Sequence, residues 1–225
     1  MKDRPDPMPL DLRPPATPRP AAAEWWSDAV VHVAGLAVVT AAVPVLILRA
    51  AVLRGDAPAV VGASVYGATL ALMILCSAVY NMRPEGGWAW LWRRLDHAAI
   101  YLKIAGTYTP FALISGEGGG LLAGVWGAAA VGVALKLAAP GRLRWVGLAL
   151  YLGMGWCGVV LGGAMLAALP GPVVTLMLTG GILYTLGVVF FLWERLWFQT
   201  AIWHVFVLAA SLVFYAAVTV QVVSG

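Results

Sequence analysis

Glu24, Asp28 and His32 follow one another at i, i+4 and i+8, a spacing that stacks three ionisable side chains on one face of a helix. Ser77 and Asn81 repeat the four-residue step. Asp96, His97, Lys103 and Tyr108 form a second polar stretch, and Thr200 with His204 a third four-residue pair. All of these residues lie within or at the ends of long apolar runs. Carboxylates, imidazoles and an amine hold charge and form strong hydrogen bonds, and an apolar phase makes both costly. Ionisable groups kept in such a phase usually mark a functional site. The chemistry expected of this set is therefore that of a polar site enclosed in hydrocarbon.

The elements that must position these residues follow from composition. The chain has 225 residues, of which 62% are hydrophobic and 11% charged. Ordinary soluble domains are about 45–50% apolar and about 25% charged, so the surface of this chain cannot be covered for water. Seven apolar runs are long enough to cross a hydrocarbon core, at about 27–48, 59–82, 95–115, 119–137, 144–167, 172–193 and 201–223. The breaks carry turn residues, such as Arg54-Gly55-Asp56, Gly116 to Gly120, Pro140-Gly141-Arg142 and Pro170-Gly171-Pro172. Unpaired backbone groups are not tolerated in lipid, so the runs are expected to be helices. The fold expected is an all-α, seven-transmembrane-helix bundle over 24–225. Before it comes a proline-rich tail at 1–23, with seven prolines and mixed charge, read as disordered and without a cleavable signal.

Lysine and arginine orient the bundle. With the N-terminus inside, the inner side holds Lys2, Arg4, Arg13, Arg19, Arg83, Arg93, Arg94, Lys136, Arg142, Arg144 and Arg195, against Arg49 and Arg54 outside. Positive residues stay inside, so the N-terminus is expected in the cytoplasm, in a bacterial-type inner (plasma) membrane. That topology places the start of the first, third and seventh runs and the end of the second at one depth. Glu24, Asp28, His32, Ser77, Asn81, Asp96, His97, Thr200 and His204 then converge near the cytoplasmic leaflet. Snorkelling toward the interface explains Glu24 and Asp28 readily, but the shorter Asn81 and His204 less well.

Other residues have simpler readings. Cys76 and Cys157 sit in apolar runs without metal-type spacing and read as small buried hydrophobes. Glycines 153, 155, 158, 162, 163, 180 and 181 suit close helix packing, and tryptophans 25, 26, 88, 90, 92, 193, 197 and 203 gather as a belt at the inner interface. The basic residues lie between apolar runs, so nucleic acid is not an expected partner, whereas membrane lipid is. No run carries the repeated polar stripe of a water-filled channel. The seventh run has no lysine for a Schiff base, which disfavours a retinal protein.

The stretch Leu95-Asp96-His97-Ala98-Ala99-Ile100-Tyr101 through Ile104-Ala105-Gly106-Thr107-Tyr108-Thr109-Pro110-Phe111 resembles the haemolysin III family, the bacterial branch of the progestin and adiponectin receptor family. Glu24…Asp28…His32, Cys76-Ser77-Ala78-Val79-Tyr80-Asn81 and Ala201-Ile202-Trp203-His204-Val205-Phe206 carry the resemblance further. It implies a zinc site at the inner leaflet, built from a Ser-x-x-x-His on the second span, a His-x-x-x-His on the seventh, and an Asp on the third that holds the zinc-bound water. If the chain is an enzyme, the resemblance implies a zinc-dependent lipid amide hydrolase, ceramidase-like, with Asp96 and Ser77 in catalytic positions; the family name suggests a cytolysin.

Only Ser77, Asp96 and His204 match those site positions. Asn81 and Thr200 stand where the other two histidines belong, and an apolar residue is usual at the position of Lys103. Catalytic zinc sites keep three protein ligands. The reading is therefore a haemolysin III-like membrane protein whose zinc site is partly lost, binding zinc weakly or not at all. The alternative is an amidase with a rearranged ligand set of His204 and Asp96, joined by His32 or His97.

Overall fold

The computed structural model describes residues 22–82, 87–138 and 144–224. Eight helices follow in chain order: α1 (Ala22–Arg49), α2 (Ala57–Met82), α3 (Ala89–Ser115), α4 (Gly119–Ala138), α5 (Arg144–Leu161), α6 (Gly163–Ala168), α7 (Gly171–Leu192) and α8 (Gln199–Ser224). No strand occurs among the described residues. Six helices, α1, α2, α4, α5, α7 and α8, are long and apolar enough to cross a membrane. The remaining long helix, α3, has 27 residues but carries Lys103, Thr107, Tyr108, Thr109 and Pro110 through its middle, which dilutes its apolar character.

Two expected boundaries move. Helix α1 begins at Ala22, so the last two residues of the proline-rich tail are helical; residues 1–21 lie outside the described part. The fifth run, expected unbroken over 144–167, divides at Gly162 into α5 and the six-residue α6. Hydrogen bonds bridge the break, with Gly162 N–H donating to Gly158 O at 2.9 Å and Leu166 N–H to Gly162 O at 2.8 Å. Hydropathy reads such a kink as continuous because the backbone stays internally paired. The turns around Arg83–Gly86 and Pro140–Arg142 fall outside the described residues.

Local chemistry explains the other ends. After α1, Ala50–Arg54 widens into a π-helical turn that closes on Gly55, whose φ of 69° suits glycine. Asp56 then caps α2, its Oδ1 accepting Ala59 N–H at 2.8 Å while Arg54 Nε donates to Oδ2 at 2.8 Å. The Ala59 N–H holds the Asp56 carboxyl below its ordinary range, opposed by desolvation and assisted by the Arg54 guanidinium.

The core sits between α2 and α3, which pack along their whole length; α1 flanks α2, and α8 closes back on α7, α1 and α3. The sequence block around Gly106 and Pro110 builds this seam. A Cβ on Gly62 would lie 2.7 Å from Pro110 Cα, and one on Gly106 would run into the Thr69 side chain. Small residues that let backbones approach supply much of the packing available in lipid. Tyr108 leaves α3 for the far wall, donating to Met154 O at 3.0 Å and Gly155 O at 2.8 Å while accepting Gly158 N–H at 3.1 Å. Val30, Leu48, Val160 and Val189 lie exposed on outer faces, as a lipid-facing surface requires.

Candidate metal centre and lipid cavity

Helix α1 delivers Asp28 and His32 one turn apart, and both are buried. Across from them, α8 delivers His204. Asp28 Oδ1 lies 2.5 Å from His204 Nδ1, and Oδ2 lies 3.5 Å from His32 Nδ1. The two imidazoles meet edge to face with centroids 4.4 Å apart. Asp28, His32 and His204 each offer a ligand atom, all within 4.8 Å of one another.

Helix α2 adds the fourth side. Ser77 Oγ lies 3.1 Å from His32 Nε2 and 3.4 Å from His204 Nε2, so one hydroxyl sits between the two rings and can donate its proton to either in turn. Backbone and carboxylate partners assign the tautomers: His32 Nδ1–H donates to Asp28 O at 2.9 Å, and His204 Nδ1–H to the Asp28 carboxylate. Each Nε2 is left with its lone pair toward Ser77.

The remaining sequence candidates divide. Asn81 turns its amide back onto α2, donating to Ser77 O at 2.9 Å and Ser77 Oγ at 3.3 Å. Asp96 lines the same cavity as His32, Ser77 and His204. His97 lines the same cavity, but its Nδ1 donates to Arg93 O at 2.6 Å on its own helix and it is not among the clustered donors. Thr200 is exposed at the cavity mouth. Glu24 is not brought to the cluster; its Oε1 accepts Phe198 N–H at 3.1 Å, tying the start of α1 to the residue before α8, where φ is 59°.

Zinc implied by the resemblance can be tested against these residues. Two imidazoles and a carboxylate are the donor types of the three-protein-ligand set of catalytic zinc sites, so the donor chemistry fits, with the Asp28 oxygen here engaged by His204 Nδ1–H. Counting only the family-type positions left His204 alone; the other two donors come from α1, from outside those positions.

Beside the cluster opens a cavity of about 1260 Å³, lined by α1, α2, α3, α5, α7 and α8, with Lys136 from α4 and Leu166 from α6. Arg93, Arg94, Lys136 and Arg144 stand on its walls, Arg144 paired with Glu194 at 2.7 Å. Lys103 reaches the deeper part, 2% exposed, its ammonium donating to Thr107 Oγ1 at 2.7 Å and lying 4.2 Å from the centre of the Tyr66 ring. Tyr66, Tyr184 and Ser211 around it escaped sequence reasoning. One signal was available: Ser211 follows His204 by seven residues, the same two-turn step that separates Asp96 from Lys103.

Residues 24–215 match the family described as Haemolysin-III related. A protein named Hemolysin-3 from Bacillus cereus is 39% identical over 195 residues, covering 85% of this chain and 89% of that one. The Hemolysin-3 homolog of Bacillus subtilis (strain 168) is 35% identical over 188 residues, covering 82% and 88%. With its apolar helices, these matches make the chain an integral membrane protein that belongs to the haemolysin III family.

Proposed function

We propose that this protein is a seven-span membrane hydrolase of the lipid-amide class, with its N-terminus in the cytoplasm and α3 as the seventh span. In this reading Asp28, His32 and His204 hold a divalent metal, zinc by family resemblance, in a rearranged ligand set. The observation that carries the proposal is the convergence of those three donors, within 4.8 Å, beside a lipid-sized cavity. A zinc ion held there would supply Lewis acidity toward a carbonyl oxygen and toward water. The residues of the chain do the rest. Ser77 stands 3.1–3.4 Å from the edges of both imidazoles, and Asp96 on the cavity wall takes a proton from the attacking water. The apolar walls seat the acyl chain and exclude bulk water.

A second reading rests on the hydrogen-bond order Asp28–His204–Ser77. It is the order of orienting acid, base and hydroxyl nucleophile in serine hydrolases, with the Ser77–His204 distance of 3.4 Å on the long side. Turnover of a fluorogenic N-acyl lipid amide by the protein in uncharged detergent tests both. The metal reading expects hydrolysis that a chelator abolishes and zinc restores. Hydrolysis that survives chelation but is lost in Ser77→Ala favours the second. No turnover under either condition removes the hydrolase assignment.

A further inference from the structure

Lys103 is a charge without a counter-charge. It occupies the middle of α3, seven residues and therefore about 10 Å beyond Asp96 along the helix. None of the ion pairs among the described residues includes it. Of its three N–H donors, one meets Thr107 Oγ1 at 2.7 Å; the ring of Tyr66 lies 4.2 Å away and that of Phe214 5.8 Å away. The rings attract the cation but accept no conventional hydrogen bond, so two donors face the cavity unmatched among the described residues. Nearby hydroxyls are already engaged: Tyr66 donates to Ser211 O at 3.1 Å, and Tyr184 pairs with Ser211 Oγ at 2.7 Å. An ammonium enclosed in this way is strongly destabilising unless it meets an anion or gives up its proton.

The surroundings limit what that anion can be. Beyond Lys103 the cavity runs between apolar side chains of α5 and α7, among them Leu152, Val159, Met177 and Leu178. Helices α5 and α7 touch sparingly, Trp156 reaching across to Thr185. A single ammonium two turns below the polar cluster suits a small monovalent head. The walls suit one hydrocarbon chain.

We propose that Lys103 is the head-group site for a carboxylate-bearing single-chain amphiphile that lies in the cavity with its chain along α5 and α7. The site is separate from the Asp28–His32–His204 cluster and does not depend on a metal there. Its chemistry is charge-assisted: the two free N–H groups of Lys103 donate to the carboxylate oxygens, while the chain gains burial against the apolar wall.

Binding of dodecanoate, dodecanol and acetate to the purified protein in uncharged detergent, read by thermal shift and by titration, tests the proposal. Dodecanoate is expected to bind about tenfold or more tightly than dodecanol, the scale of one charge-assisted hydrogen bond, and acetate far more weakly than either. Lys103→Met, which keeps the length of the side chain, is expected to erase the preference for dodecanoate over dodecanol. The comparison among the three ligands in the unsubstituted protein stands even if that variant does not fold. Dodecanoate binding is expected to persist in His204→Ala and after chelation, which separates this site from the metal reading. Equal affinity for acid and alcohol, an unchanged preference in Lys103→Met, or acetate binding as tightly as dodecanoate each overturns it.

Discussion

Asp28 and His204, 176 positions apart, meet through a carboxylate oxygen and an imidazole nitrogen 2.5 Å from each other. That contact joins α1 to α8 and is the link on which the polar cluster depends. Asp28 also contacts His32 through its own backbone carbonyl and its second carboxylate oxygen. Removing the Asp28 side chain therefore frees the His204 ring, while His32 keeps its bond to the backbone carbonyl.

Asp28→Ala is expected to lower stability by about 2 kcal/mol, the usual scale for a buried hydrogen bond to a charged group. Asp28→Asn keeps the volume and one acceptor and should lose less. Thermal unfolding in detergent, followed by fluorescence of the eleven tryptophans, reads both. Equal midpoints for the wild type and Asp28→Ala would show that the contact is not formed.

The seam between α2 and α3 gives a second test. Gly106→Ala pushes a methyl group into Thr69 and is expected to destabilise by about 1–3 kcal/mol, as overpacked cores do. Thr69 Oγ1 bonds only to carbonyls of its own helix, at Val65 and Tyr66. Thr69→Ala in the same chain removes the two outer atoms but leaves Cβ 2.9 Å from the new methyl group, so it should recover part of the loss. A double variant no more stable than Gly106→Ala contradicts this packing.

Hydropathy made the helices legible because lipid allows few other structures, and the helix ends at Gly55-Asp56 and Pro170-Gly171 could be read from their turn residues. The kink at Gly162 could not, since its backbone remains paired through Gly158 and Leu166. At the site, the four-residue spacing placed Glu24, Asp28 and His32 on one face but carried no information about what that face meets. The structure separates them: Asp28 and His32 join His204, while Glu24 holds Phe198. Lys103 was visible as an anomaly, yet the rings beside its ammonium, Tyr66 and Phe214, come from α2 and α8, contacts between helices that hydropathy does not encode.

Topology rests on lysine and arginine and is checked by fusion. A reporter active only in the cytoplasm should be silent when fused after Gly225 and active when inserted between Pro84 and Trp88. Both reporters on one side would contradict seven spans.

The most direct test of the account is the metal content of the protein purified in uncharged detergent at near-neutral pH. Elemental analysis is expected to find about one zinc per chain, resistant to buffer exchange, because three donors lie within 4.8 Å of one another. His204→Ala, His32→Ala and Asp28→Ala should each lose it, while Lys103→Met keeps it. Zinc well below stoichiometric in the wild type after growth and dialysis with the ion, or zinc unchanged in the three donor variants, contradicts the assignment of Asp28, His32 and His204 as a metal centre.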